Sequence, residues 1–262
     1  MKRLARVGLV FGVLALGGTV ACKGEEDVGK AERIKGSNHL SKKEYKEAAA
    51  AYALSLQADP KQEKVWEKKA FAHLQLGETD KASESVLKIL EMKTTPAEKA
   101  ETYRTLASMN MQGGATEAAE KYFNEALKLE PKDEASLGWI AEIYAQRGGA
   151  RSMAAPIVKA DLEKSISYYD QVIVINPNSA NTYLNKRVVM GRLMEYERQQ
   201  KEMALSEAAE NAKDAAVVAE ANARAAEHQK RMDDFQVQFA EMTKKFSEAQ
   251  KATKAQAAAN TP

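Results

Sequence analysis

Small and apolar residues recur along this chain on a fixed rhythm. Gly36, Ala48, Tyr52, Leu56 and Pro60 are separated by 12, 4, 4 and 4 positions, and Ala107, Ala119, Phe123, Leu127 and Pro131 repeat those steps. Ala70, Ala82, Val86, Leu90 and Thr94 make a third set with Thr in place of Pro. A fourth keeps Leu137, Ile140, Ala141 and Gly148, then Ser165, Tyr169, Ile173 and Pro177, with 12 extra residues between its halves. Steps of four stack side chains on one helical face. The wider gap leaves room for a turn, where Gly77, Gly114 and Gly148 suit a left-handed backbone. Proline after the second helix removes a backbone donor and stops it. Pairs of antiparallel helices are therefore predicted. A fresh helix start is written at Thr95-Pro96-Ala97-Glu98, a capping box with Pro in the first helical position.

The spacing of the terminal marks, 34, 37 and 46 residues from Pro60 through Thr94 and Pro131 to Pro177, resembles the tetratricopeptide repeat, a 34-residue helix-turn-helix unit. The third copy carries nearly the whole signature: Tyr103, Leu106, Ala107, Gly114, Ala119, Phe123, Ala126, Leu127 and Pro131. Alanines such as Ala107 and Ala119 fit where paired helices approach most closely. Tyr52 and Phe123 would fill the space toward the next unit. The resemblance implies an all-α solenoid of about four and a half repeats over residues 30–196. A fifth copy begins at Asn178, but Lys186 and Arg187 stand where the family has Leu and a small residue, so it is degenerate and reads as a cap.

From Arg192 to Thr261 there is neither Gly nor Pro, and 18 of the 60 residues from 201 to 260 are Ala. A long helix or helical hairpin over 197–262 is predicted, since Ala loses no side-chain entropy in a helix. Met232, Phe235, Phe239, Met242, Phe246 and Ala249 alternate steps of 3 and 4, a heptad-like seam. Three ways of covering it stay open. The arm folds back on the repeats or on itself with a turn near Asn211–Asp214, or it self-associates as a coiled coil, or it docks on another protein.

At the other end, Lys2, Arg3 and Arg6 precede an uncharged stretch from Val7 to Ala21, in the order of a secretory signal. At 15 residues it is short of the roughly 20 needed to span a bilayer. Thr19-Val20-Ala21-Cys22 resembles a bacterial lipobox, with Thr19 where that signal usually has Leu. That resemblance implies cleavage after Ala21 and acylation of Cys22 with palmitate-type chains; the polar, Gly-containing composition of residues 22–29 reads as a flexible tether. Lys23 after the Cys implies sorting to the outer membrane, facing the periplasm.

Composition adds exclusions. The formal charge is +2, and without the first 21 residues 36 bases face 37 acids. Signs alternate along the helices, which does not suit nucleic acid. Cys22 is the only cysteine, so no internal disulfide forms. His39, His73 and His228 lack partners at metal-ligand spacing, and neither Gly113-Gly114 nor Gly148-Gly149 is followed by the Lys-Ser or Lys-Thr of a phosphate loop. No catalytic residue, metal or cofactor is expected, and the chain does not read as an enzyme.

What remains is binding. The repeat family lines its concave face with one side of each first helix. Mapped onto this chain, that implies a partner groove of Arg33, Ser37, Leu40, Glu67, Phe71, Leu74, Arg104, Ser108, Met111 and Glu142. Mixed apolar and charged chemistry suits a peptide or helix of another envelope protein. The expected role is a lipid-anchored scaffold that assembles or positions an envelope complex. The alternative is a structural spacer that self-associates through the arm. The insertion from Gly149 to Lys164 is expected to be a rim loop.

Overall fold

The computed structural model describes residues 18–152 and 154–259. Among the described residues there are ten helices and no strand: α1 (Gly18–Ser41), α2 (Tyr45–Ala58), α3 (Glu63–Gln75), α4 (Thr79–Met92), α5 (Pro96–Gln112), α6 (Thr116–Leu129), α7 (Glu134–Arg147), α8 (Lys159–Ile175), α9 (Ala180–Glu210) and α10 (Ala215–Ala259). The described residues form two compact units that divide between Lys93 and Thr94. Most of the expected leader, 1–21, lies outside the described residues. No described helix is long and apolar enough to cross a membrane.

In the first unit α1 packs on α2, α2 on α3 and α3 on α4. The core gathers Ala48, Tyr52, Leu56, Val65 and Ala72, with Leu40, Tyr45 and Trp66 against it. Gly36 has a structural reason: a Cβ there would lie 2.6 Å from the buried Tyr52 ring. The stretch expected as a tether, 22–29, is instead part of α1. Gly29 is buried, and a Cβ on it would stand 2.7 Å from that of Ala58. What looked like linker composition is a small residue at a helix crossing.

The second unit holds three helix pairs, α5–α6, α7–α8 and α9–α10. The capping box is formed: Glu98 N donates to Thr95 Oγ1 (3.2 Å) and Thr95 N to Glu98 Oε2 (3.1 Å). Ala107 and Ala119 are both fully buried and share a cluster with Phe123, Ile140 and Ile143. α2, α6 and α8 end two residues before Pro60, Pro131 and Pro177. Positive φ falls on Gly77 (74°), Gly114 (77°) and Gly149 (81°), and on Lys43 (62°) in the first copy. At the fourth turn it is thus Gly149 that takes the left-handed conformation. Gly148 makes room for Leu162, whose Cδ2 would be 2.5 Å from an added Cβ.

The insertion is less of a loop than expected, because helix resumes at Lys159. Its remainder is tied down: Arg192 Nη2 donates to Ala155 O (2.6 Å), Val158 N to Gly148 O (3.2 Å), and Ile157 packs on the Leu162, Tyr169, Val189 and Leu193 cluster.

α9 passes through 196–197 without a break, and α10 folds back along it after a turn at Asn211–Asp214. The seam therefore faces its own chain. Phe235 joins the Leu162–Leu193 cluster, and the Arg187 guanidinium stacks 4.8 Å from the Phe239 ring and 5.9 Å from that of Phe246. Met232 and Met242 are half-buried. The two departures from the repeat pattern now have a cause. Arg187 supplies a flat cation for the returning aromatics, and Lys186, itself buried, pairs with Asp170 at 2.5 Å.

A single carboxylate fastens the middle of this hairpin. Glu197 is fully buried and accepts from Lys159 Nζ (3.0 Å) and Arg231 Nε (2.8 Å), with His228 Nδ1 at 2.6 Å. Burial alone would raise its pKa, but the hydrogen bonds from Arg231, His228 and Lys159 outweigh that and pull it down to about 2.

Candidate partner-binding groove

In α7, Asp133 caps the first turn by accepting from Ser136 N (3.1 Å). That fixes the phase of the helix, and Ala135, Gly138, Trp139, Glu142 and Gln146 then fall along one side. With Tyr169 and Val172 of α8, Asn181, Thr182 and Asn185 of α9, and Asp133 and Glu134, they line an open groove of about 830 Å³. Gly138 widens it, since a Cβ there meets nothing within 4 Å. Beside it Trp139 is 44% exposed yet rests on the buried Phe123, stacked at 6.3 Å with the rings 8° from parallel. One face of the indole is thus backed by a buried ring while the rest is open to solvent.

Glu142 is the polar centre. It accepts from Tyr169 Oη (3.1 Å), from Gln146 Nε2 (3.4 Å), and from both Nε (2.8 Å) and Nη2 of Arg151. The same Arg151 Nη2 reaches Asn185 Oδ1 at 3.2 Å. Burial and the Glu142 charge push the Tyr169 phenol well above its ordinary pKa, so it stays a hydrogen-bond donor.

The residues expected from register distribute unevenly. In the second unit Glu142 lines the groove, whereas Arg104 is spent on Glu130 (2.7 Å) and Asp133 (3.5 Å) at its edge. Met111 packs on the core beside Ala107, and Ser108 is half-buried. In the first unit Arg33 donates to Gln62 (3.3 Å) and borders a smaller groove of about 440 Å³ with Glu63, Lys64, Val65 and Lys68. Ser37 lies 3.3 Å from both Tyr52 Oη and Lys68 Nζ. Leu40 packs on the core and Leu74 is half-buried. Glu67 is exposed, as is Phe71, which meets Tyr45 edge-on at 6.3 Å. Trp139, Gln146, Tyr169 and Asn185 are additions that the register did not name. Cys22 lies in α1.

Each histidine is matched with one glutamate: His39 with Glu44 (2.6 Å), His73 with Glu78 (2.7 Å) and His228 with Glu197 (2.6 Å). Among the described residues no three His, Cys, Asp or Glu side chains gather as a metal site would require.

These helix pairs define an all-α fold of the tetratricopeptide type. Residues 100–133 match the tetratricopeptide repeat family. A TPR repeats protein from Bacteroides fragilis is similar in structure at 13% identity, over 86% of this chain and 98% of that one, with a TM-score of 0.50. Two others are MamA (19% identity, 86% and 93% covered, TM-score 0.49) and YrrB, described as a TPR protein with an unusual peptide-binding site (15%, 87% and 97%, TM-score 0.44). At such identities the likeness speaks to fold alone. No curated protein matches the sequence.

Proposed function

We propose that this chain is a lipid-anchored scaffold of a bacterial envelope, which grips a segment of a partner protein in the groove beside Trp139 and holds it near the membrane. The observation that carries the binding role is the groove itself. It sets a half-exposed indole, parallel to a buried ring, within reach of carboxylates and amides, the mixture of apolar anchor and orienting polar groups that peptide sites use. No catalytic step is assigned, and the repeat fold ordinarily serves interaction. Support for anchoring comes from the sequence: a basic start, an uncharged stretch and a lone Cys22 at its end. Periplasmic placement at the outer membrane follows from Lys23 by the same resemblance. The spacer alternative is the weaker reading, since the seam it would use already packs on α9 and the core of its own chain.

The test is photocross-linking in cells with a photoreactive residue in place of Asn181, an exposed residue of the groove wall that leaves Trp139 intact, with Gly138→Phe as the plugged control. A reproducible envelope partner that disappears with the plug is expected. Recovery of no partner, or of the same partner through the plug, would overturn the groove reading. Metabolic labelling with a clickable palmitate analogue tests the anchor separately: label lost in Cys22→Ser supports it, and an unlabelled parent chain refutes it.

A further inference from the structure

The groove carries more information than its shape. Its lining includes three carboxylates, Asp133, Glu134 and Glu142, and no lysine or arginine. The adjoining turn carries one further acid, Glu130, and one base, Lys132. Two of the three acids are met by the protein's own guanidinium groups, and the two meetings differ. Arg104 approaches Asp133 at 3.5 Å while holding Glu130 at 2.7 Å, an edge contact shared with another acid. Arg151 is presented to Glu142 through Nε and Nη2 together, the fork geometry that carboxylates reserve for guanidinium. Asn185 Oδ1 accepts from the same Nη2 (3.2 Å), and Tyr169, donating to Glu142, keeps the carboxylate aimed. Arg151 belongs to the insertion found only in the fourth copy, and its side chain is about one-third exposed. It is thus delivered from a loop to a site built on three helices.

Resting on the groove reading above, we infer that the groove is selective for an arginine-bearing segment of the partner: its guanidinium takes the place of Arg151 on Glu142 and Asn185, and an adjacent apolar side chain covers Trp139. Arg151 then acts as an internal competitor. While it sits on Glu142 the groove presents a weaker negative charge, and a partner must displace it. An acidic or neutral segment gains nothing by doing so and would leave Glu142 without a cation. A lysine could supply charge but not two parallel donors, so it should rank below arginine. The partner chemistry is therefore a basic, apolar-flanked stretch of polypeptide.

The test uses purified full-length chain and short fluorescent peptides with one central position varied among arginine, its neutral isostere citrulline, lysine and glutamate, with leucine on either side. Anisotropy gives affinity, and Trp139 emission reports contact in a Trp66→Phe background, there being two tryptophans in the chain. The arginine peptide should bind roughly tenfold more tightly than the citrulline peptide, the scale of one charge-assisted pair. Arg151→Ala should tighten arginine-peptide binding several-fold, and Glu142→Gln, which keeps a group for Tyr169 to reach, should erase the arginine preference. Equal binding of arginine and citrulline peptides would sink the inference, as would preference for glutamate or weaker binding in Arg151→Ala. Absence of binding by every peptide also counts against it. If cells yield a groove-dependent partner whose cross-linked segment lacks basic residues, the scaffold reading survives and this one fails; if they yield none, both fail.

Discussion

The α5–α6 pair and the α9–α10 hairpin are both antiparallel helices in contact along their length, yet they are held by different forces. Between α5 and α6 the buried side chains include Leu106, Ala107, Ala119, Phe123 and Ala126, a dry fit in which small residues admit one large ring. Along α9 and α10 the comparable positions are Ala204, Ala208, Ala221 and Ala225 near the turn, then the Glu197 cluster, then Arg187 against Phe239 and Phe246. Apolar area stabilises the first at about 25 cal/mol per Å² and is indifferent to pH. The second depends on a charge that must stay ionised. A repeat unit can thus tolerate changes of medium that would loosen its terminal hairpin.

The largest effect is expected from emptying the dry fit. Phe123→Ala removes a fully buried ring that also supports Trp139, and should cost about 3–5 kcal/mol in denaturant unfolding of the second unit. A loss under about 1 kcal/mol would mean that the pair is not held by packing in the way described.

Next comes the buried carboxylate. Glu197→Gln leaves Lys159 and Arg231 facing a neutral group, and about 2–3 kcal/mol of hairpin stability should be lost, less than for a wholly buried pair because the cations are partly hydrated. Hydrogen exchange should show faster opening across α10 while α5 and α6 are unchanged. The pH dependence has a definite sign. With its folded pKa depressed from 4.5 to about 2, Glu197 contributes stability that is complete above about pH 4.5 and is lost as pH falls toward 2. The span corresponds to about 3 kcal/mol. Melting of the parent chain should lose that increment in acid, and the Glu197→Gln chain should not.

The same contrast explains what could be read from the sequence. The repeats were legible because a close helix crossing demands a small residue at a fixed step, and Ala107 and Ala119 announce it locally. The Thr95–Glu98 cap was legible for the same reason. Gly148 was the wrong choice for the left-handed position, which falls on Gly149, because Gly148 is needed to make room for Leu162, across the insertion. The tether was misjudged because Gly29 is a packing residue whose partner, Ala58, lies in another helix. The seam showed that α10 would be covered, but the covering group was concealed in Arg187, which looked like a flaw in the fifth copy. At the groove, repeat register located Glu142 and the edge residue Arg104. Arg151 and Asn185 reach Glu142 only through the course of a loop and the approach of α9, and no local spacing encodes either.

The smallest effects give the finest division between the two kinds of pairing. Gly36 and Gly191 both sit inside helices, where alanine is ordinarily better by about 0.5–1 kcal/mol. At Gly36 the added methyl would stand 2.6 Å from the Tyr52 ring, which is itself fully buried and has nowhere to swing. Overpacking of about 1–3 kcal/mol should exceed the gain, so Gly36→Ala lowers the stability of the first unit. At Gly191 nothing lies within 4 Å of the new atom, and Gly191→Ala should raise the stability of α9 by the propensity difference alone. Thermal melts of the two single variants therefore shift in opposite directions. Two shifts of the same sign would show that the glycine in the repeat pair is not required by its neighbour's ring, and that the steric fit claimed for α1 on α2 is looser than the distances imply.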